Sequence, residues 1–425
     1  MVKSRKSINN WIIEVFLIVS MLWASVPLVQ DIIDRLFVII SLSIAIIIAF
    51  FTYPPRKFMS NQGYNVFLLT IAWILYQCFF KLVGLSNSAW GTHSEFIIFY
   101  SFLFLLFYVK EQFSQKAETR ILVWGFIFLF FSIAFYFFLY LKGELKLTYD
   151  PAELATTTIP TLFKSSLVFF ALVNYVILLV SKKSFVVLVN IFAIFSSFWL
   201  IYVVGNNATA AILLVLGLIA ITLSFLFQKA KKQVYTSVVV TILLFLAIIF
   251  ILFGSTLFTW LANVTARSNI RVSRKLLDIA SFLEGGQQIA IVDNDSFITR
   301  IYLIRVSVRT WTNNLLSFLF GVGRNAGYYY ESGIGQHSEF FDTFARYGLV
   351  GGVFTLMIMI KLPRFLCDMN DTNLRRYGFV LYLVFILSCI TNSFMYPVVG
   401  VSMLLSFLTI DILDKKNTRE RKIPL

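Results

Sequence analysis

Charge is scarce in this chain. Asp, Glu, Lys and Arg make up 13% of its 425 residues, about half the share of an ordinary soluble domain. Together with 59% hydrophobic residues, that shortage excludes a soluble globular enzyme, a disordered protein and a fibrous repeat. Cysteine is nearly absent. Cys78, Cys367 and Cys389 lie far apart without a CxxC spacing, which excludes a disulfide framework and a cysteine metal site. Histidine occurs twice, as His93 and His337. No cluster of carboxylates demands a metal, and no cofactor is expected.

What the chain has is apolar length. It carries 47 Phe and a mean hydropathy of +0.83. Apolar segments fall near 11–29, 36–53, 64–84, 95–109, 121–141, 162–181, 185–204, 209–228, 236–257, 343–361, 377–395 and 398–413. These predict an all-α polytopic membrane protein with about 12 transmembrane helices. The fourth and the last are short for a span. The basic N-terminus, residues 1–10, leads into the first segment without a clean small-residue cleavage site, so it reads as a first span and not as a cleaved signal peptide.

The net charge of +15 would suggest nucleic acid in a soluble protein; here it maps onto loops. With the N-terminus inside, every inner loop is basic, as the positive-inside rule requires. Arg56, Lys57, Lys110, Arg120, Lys182, Lys183, Lys231, Arg375 and the run from Lys415 to Lys422 all fall on that side. The expected division is residues 1–257 with nine spans, a large extracytoplasmic loop over 258–342, and 343–425 with three spans and a basic tail. Both termini are expected in the cytoplasm, and no nucleic-acid partner is expected.

The loop breaks the charge rule, because it holds Arg267, Arg271, Arg274, Arg300, Arg305, Arg309 and Arg324 on the outer face. Its first helical stretch, 263–283, places Arg267, Arg271 and Arg274 on one face. That helix either lies on the membrane with its arginines on lipid phosphates or offers an anion-binding face. After a polar turn at 284–294, Asp295 and Ser296 are expected to cap a second helix over 297–316. Arg305 and Arg309 share a face there, while Arg300 lies about 140° from Arg305 at roughly 100° per residue. Snorkelling accounts for one or two of these arginines. Three in an otherwise apolar helix call for an anionic ligand, whose oxygens the planar guanidinium fork fits.

The turn Gly321-Val322-Gly323 is neither a dinucleotide fingerprint nor a Walker loop. It is either a flexible turn or a place where backbone N–H groups meet a phosphate or sugar. Tyr328, Tyr329 and Tyr330 follow, as interfacial anchors or as a sugar platform. His337 then stands at the start of a helix, whose positive dipole end keeps an imidazole neutral and able to accept a proton. A neutral base beside arginines suits attack on a phosphate-activated carbon. His93 lacks such surroundings.

The series Ser296, Arg300, Trp311, Gly321-Val322-Gly323, His337-Ser338, Gly348 and Gly351 resembles the C-terminal signature of the O-antigen ligase and polymerase family. Phe318-Leu319-Phe320 stands where that family usually carries a Pro. The resemblance spans residues 296–352, and twelve spans with one large outer loop before the last three also resemble the family. It implies a GT-C-type membrane glycosyltransferase of the bacterial cytoplasmic membrane. The donor and acceptor would be undecaprenyl-diphosphate-linked glycans, with membrane lipid, a flippase and a chain-length regulator as partners. His337 would activate the acceptor hydroxyl and Arg300 would contact the diphosphate, with Arg305, Arg309 and Arg324 in support. Arg267, Arg271, Arg274, Gly321 and Gly323 would be accessory. The expected activity is a repeat-unit polymerase for surface polysaccharide. The rivals are a ligase with the same donor chemistry, a flippase or transporter of lipid-linked oligosaccharide, and a non-enzymatic assembly scaffold.

Overall fold

In the computed structural model the described residues are 2–52, 61–82, 91–143, 161–181, 183–204, 207–226, 255–266, 270–283, 297–322, 334–335, 338–391 and 397–422, and no strand occurs among them. The chain runs through α1 (Val2–Ser25), α2 (Pro27–Ile32), α3 (Arg35–Thr52), α4 (Asn61–Leu82), α5 (Gly91–Gln112), α6 (Gln115–Leu141) and α7 (Thr161–Val180). Next come α8 (Ser184–Trp199) with a π turn at Leu200–Val204, α9 (Ala208–Leu226) and α10 (255–265). The remainder is α11 (Ile270–Leu283), α12 (Phe297–Trp311), α13 (Leu315–Phe320), α14 (Glu339–Leu366), α15 (Thr372–Thr391) and α16 (Pro397–Lys422).

Among the described residues nine helices are long and apolar enough to cross a membrane: α1, α3, α6, α7, α8, α9, α14, α15 and α16. The protein is an all-α polytopic membrane protein. Helices α4 and α5 cover two more of the apolar segments expected from sequence. The segment 236–257 lies outside the described residues, apart from the first residues of α10.

The two segments that looked short lie in helices of 22 and 26 residues. In α16 the expected segment stops at 413, while the helix continues through Asp414 and Lys415, which like Asp411 find partners inside the bundle. The first expected segment is split instead. Val26 is extended and Pro27 opens α2 at its first position, where a missing N–H costs nothing.

Helix α16 is the axis of the bundle. In its span 89% of residues are buried, against 28% in α3 and in α8. It packs on α1, α5, α6, α7 and α15. In lipid, burial of apolar surface does not drive this association; close packing and hydrogen bonding do. Small residues serve the packing, with Gly125 of α6 facing Leu405 and Met21. The buried hydroxyls Ser402, Ser406 and Thr409 bond the carbonyls of Val398, Ser402 and Leu405 one turn back, so none stays unsatisfied in an apolar setting. Outward-facing Phe51, Phe131, Phe185, Phe195 and Ile360 form a surface suited to lipid.

Charge is buried inside the bundle at several points. Near the last turns of α16, Lys415 Nζ lies 2.7 Å from Glu118 Oε1 and 2.8 Å from Asp411 Oδ2. Lys110 Nζ lies 3.5 Å from Asp411 Oδ1 and donates to the Phe365 carbonyl at 3.2 Å. Arg120 grips Glu14 with two bonds of 2.6 and 2.7 Å. Asp414 accepts the backbone N–H groups of Asn370 and Asp371. Glu118 is fully buried, and its charge is tolerable only because Lys415 neutralises it in place. Cys367 and Cys389 are buried free thiols. Burial pushes the Cys367 thiol up to about 12, which keeps it protonated and inert.

Candidate functional site

The site is built where α12 and α13 cross the first turns of α14. Helix α12 has two clean faces. Tyr302, Arg305, Arg309 and Thr312 are exposed, while Leu303, Ser307 and Thr310 are buried. Both stripes step by three and four residues, the helical repeat. Arg305 and Arg309 therefore share a face as the spacing predicts, and that face points outward. No acidic residue occurs on α12 to neutralise them.

The expected helix over 297–316 ends at Trp311. The indole explains the stop. It stacks on Phe318 with ring centres 5.1 Å apart, meets Phe344 at 4.7 Å, and donates to the Phe318 carbonyl at 3.0 Å. Asn314 then caps α13, its side-chain oxygen accepting the Ser317 N–H at 2.8 Å, a cap that gains about 1 kcal/mol.

Helix α14 is broken at Gly348, where φ is 66° and ψ −165°, a region open essentially to glycine alone. Gly321, with φ 79° and ψ 178°, is its counterpart at the end of α13. The two glycines let the backbones cross. A Cβ on Gly348 would stand 2.4 Å from the Leu319 carbonyl, and one on Gly321 would stand 2.3 Å from the Arg346 oxygen. Two carbonyls just before the break are taken up. Tyr76 donates its hydroxyl to the Tyr347 carbonyl at 3.1 Å, and the Val322 N–H donates to the Ala345 carbonyl at 3.0 Å. Trp73 closes the corner, meeting Tyr347 edge-on at 5.0 Å and leaving no space at Gly351 for a side chain.

This geometry decides between two readings of the Gly-x-Gly turn at its first two residues. The Gly321 N–H is committed to the Ser317 carbonyl at 2.8 Å, and the Val322 N–H to Ala345. Neither amide is open to an anion, so Gly321 serves the close crossing of two backbones.

Inside the crossing sits a buried polar group. Ser307 donates to Asp342 Oδ1 at 2.6 Å, and the Ser338 N–H donates to Asp342 Oδ2 at 3.2 Å. The Gly335 N–H donates to Ser307 Oγ at 2.9 Å. One turn away, Glu339 and Arg346 face each other with 3.8 Å between Oε1 and Nη1, at 1% and 7% exposure. Sequence reading did not single out Ser307, Asp342, Glu339 or Arg346 as site residues. The signals were there: Glu339 and Arg346 are two turns apart on one helical face, and Asp342 lies one turn after Ser338.

Helix α11 is shorter than the expected 263–283, since α10 occupies 255–265 and α11 begins at Ile270. It packs on α9 and α12. Leu276 and Ala280 are its buried face, with Leu276 meeting Ala262 and Tyr202 beside the π turn, while Arg274 and Leu277 are exposed. Its inward stripe thus runs through Ser273, Leu276 and Ala280.

Arg267, Gly323, Arg324 and His337 lie outside the described residues, as do Asp295, Ser296 and Tyr328 to Tyr330. Arg271 and Arg300 belong to α11 and α12, and His93 to α5, but their side chains lie outside what is described. Of the expected site residues, the structure therefore brings Arg305, Arg309 and Gly321 to the α12–α14 crossing, and sets Arg274 on the neighbouring α11. No metal-holding group of His, Cys, Asp and Glu occurs among the described residues. No family model matches the chain, and no curated protein matches it.

Proposed function

We propose that this protein polymerises lipid-linked oligosaccharide repeat units into a surface polysaccharide at the outer face of a bacterial cytoplasmic membrane. The donor is a glycan on undecaprenyl diphosphate, and the acceptor is a sugar hydroxyl of the next lipid-linked unit. The anomeric carbon–diphosphate bond breaks as the acceptor oxygen attacks. His337 takes the hydroxyl proton, and the diphosphate leaves with its charge held by fixed guanidinium groups. Arg300, Arg305, Arg309 and Arg324 are the candidates for that grip. Both termini are assigned to the cytoplasm and 258–342 to the outside, on the distribution of Lys and Arg among the loops.

The observation that carries this reading is the outward stripe of α12. Arg305 and Arg309 stand on one exposed face of a helix without acids. That helix is packed against the start of α14, which opens two residues after His337. Two exposed arginines on one face of a helix that carries no acid are suited to a diphosphate head group.

The broken helix α14 and the buried ion pairs of α16 favour a second reading, a transporter of the same lipid-linked glycan, since interrupted helices and intramembrane charge mark transport sites. Two of the carbonyls before Gly348, those of Tyr347 and Ala345, are occupied by Tyr76 and Val322, which weighs against that reading. A deletion strain separates the two. The polymerase predicts single repeat units, still lipid-linked, accumulating on the outer leaflet. Units confined to the inner leaflet would overturn it in favour of transport.

A further inference from the structure

We propose that Ser307 and Asp342 form a positioning latch that fixes the chain on both sides of His337 against the arginine-bearing helix α12. The catalytic meaning of the latch rests on the proposed glycosyl transfer; its existence rests on geometry alone.

The Asp342 carboxylate spends one oxygen on the Ser307 hydroxyl and the other on the Ser338 N–H, at 2.6 and 3.2 Å. Ser307 Oγ accepts the Gly335 N–H at 2.9 Å. The chain therefore enters and leaves positions 336 and 337 through two backbone amides that end on a single Ser–Asp pair. Position 335 lies directly on α12, because a Cβ there would stand 2.2 Å from the Leu303 carbonyl. Ser307 and Asp342 are 0% and 1% exposed, so water does not compete for these bonds.

Ser307 occupies the inward stripe of α12, while Arg305 and Arg309, two residues to either side, occupy the outward one. A helix is stiff over one turn, so fixing Ser307 fixes the roots of both arginines. The latch thus binds the supports of the proposed base and of the proposed anion grip into one hydrogen-bonded unit. Placement of this kind governs turnover more than affinity. Ser307 and Asp342 touch no reacting atom in this account and are positioning residues.

The test uses the purified full-length protein and lipid-linked oligosaccharide extracted from the source cells, with turnover counted per mole of monodisperse protein. S307A and D342N are expected to lower kcat about 10- to 100-fold. KM is expected to stay within about twofold, as for groups that act on the reacting geometry. S307T, which restores the hydroxyl, is expected to recover most of the rate. Wild-type kcat in S307A, a loss confined to KM, or failure of S307T to recover would each overturn the latch. If H337A turns over like the wild type, His337 is not the base and the catalytic meaning of the latch fails instead; no turnover by folded wild-type protein would overturn the glycosyl-transfer reading. Amide hydrogen exchange decides the latch even in a protein without turnover. S307A and D342N are expected to deprotect the peptide over 335–340 and leave α16 unchanged. Unchanged protection at 335–340, or deprotection spread through α16, would overturn it.

Discussion

His337→Ala is expected to lower kcat about 10²–10⁴-fold, the contribution of a positioned proton acceptor, with KM nearly unchanged. His337 stands two residues along the chain before α14 begins. The positive end of a helix dipole disfavours an imidazolium and leaves a nearby imidazole neutral and free to accept a proton. An acceptor hydroxyl is a poor nucleophile until its proton has somewhere to go, so losing the acceptor slows the chemical step and leaves binding intact. In cells the same variant is expected to shorten the polymer to single units. H93A is the control: its position offers no arginine neighbours along the chain, and it should keep turnover within a few-fold of wild type. Long chains from H337A would remove the proposed base.

The largest structural effect is expected at Gly348. Gly348→Ala forces a side chain into a backbone region almost closed to it and drives its Cβ to 2.4 Å from the Leu319 carbonyl carbon and oxygen. Neither atom belongs to a flexible side chain that can turn aside. Backbone strain and overpacking each cost about 1–3 kcal/mol, so the variant should lose at least ~2 kcal/mol. It should then fail to yield monodisperse protein in detergent. Gly378→Ala is the contrast. It lies within α15, and its Cβ would rest 3.4 Å from Cys367 Sγ, an ordinary contact in a helix that prefers Ala. Its thermal midpoint should match the wild type or exceed it. A stable, monodisperse G348A would mean that α13 and α14 do not cross as described.

Much of this architecture is legible in the sequence, because a membrane imposes a simple code. Long apolar runs must be helices, since no water satisfies exposed backbone groups in lipid. The runs over 36–53, 121–141 and 162–181 fall in α3, α6 and α7 with ends shifted by only a few residues. Hydropathy ended the last apolar segment at 413 and made it short, because Asp414 and Lys415 read as an exit from the membrane when taken singly, whereas α16 runs on to Lys422. In the folded chain Asp411, Asp414 and Lys415 are satisfied by Glu118, Lys110 and the 370–371 backbone.

At the candidate site, the 3.6-residue period put Arg305 and Arg309 on one face correctly. Periodicity alone did not say that this face is outward and that Ser307 holds the opposite side. The break at Gly348 was equally hidden. A Gly-x-x-Gly pattern is compatible with a continuous helix, and only the approach of Leu319 to Gly348 makes a glycine obligatory there. The Glu339–Arg346 pair escaped notice because seven residues of separation become proximity only once the segment is helical and buried.

Extension of extracted lipid-linked repeat units by the purified protein, with products sized by mass spectrometry, tests the central claim most directly. The account predicts a ladder of lipid-linked chains, each longer than the last by one repeat unit, with free undecaprenyl diphosphate released at every step. Repeat units recovered unextended from folded, monodisperse protein, with no diphosphate carrier set free, would contradict it.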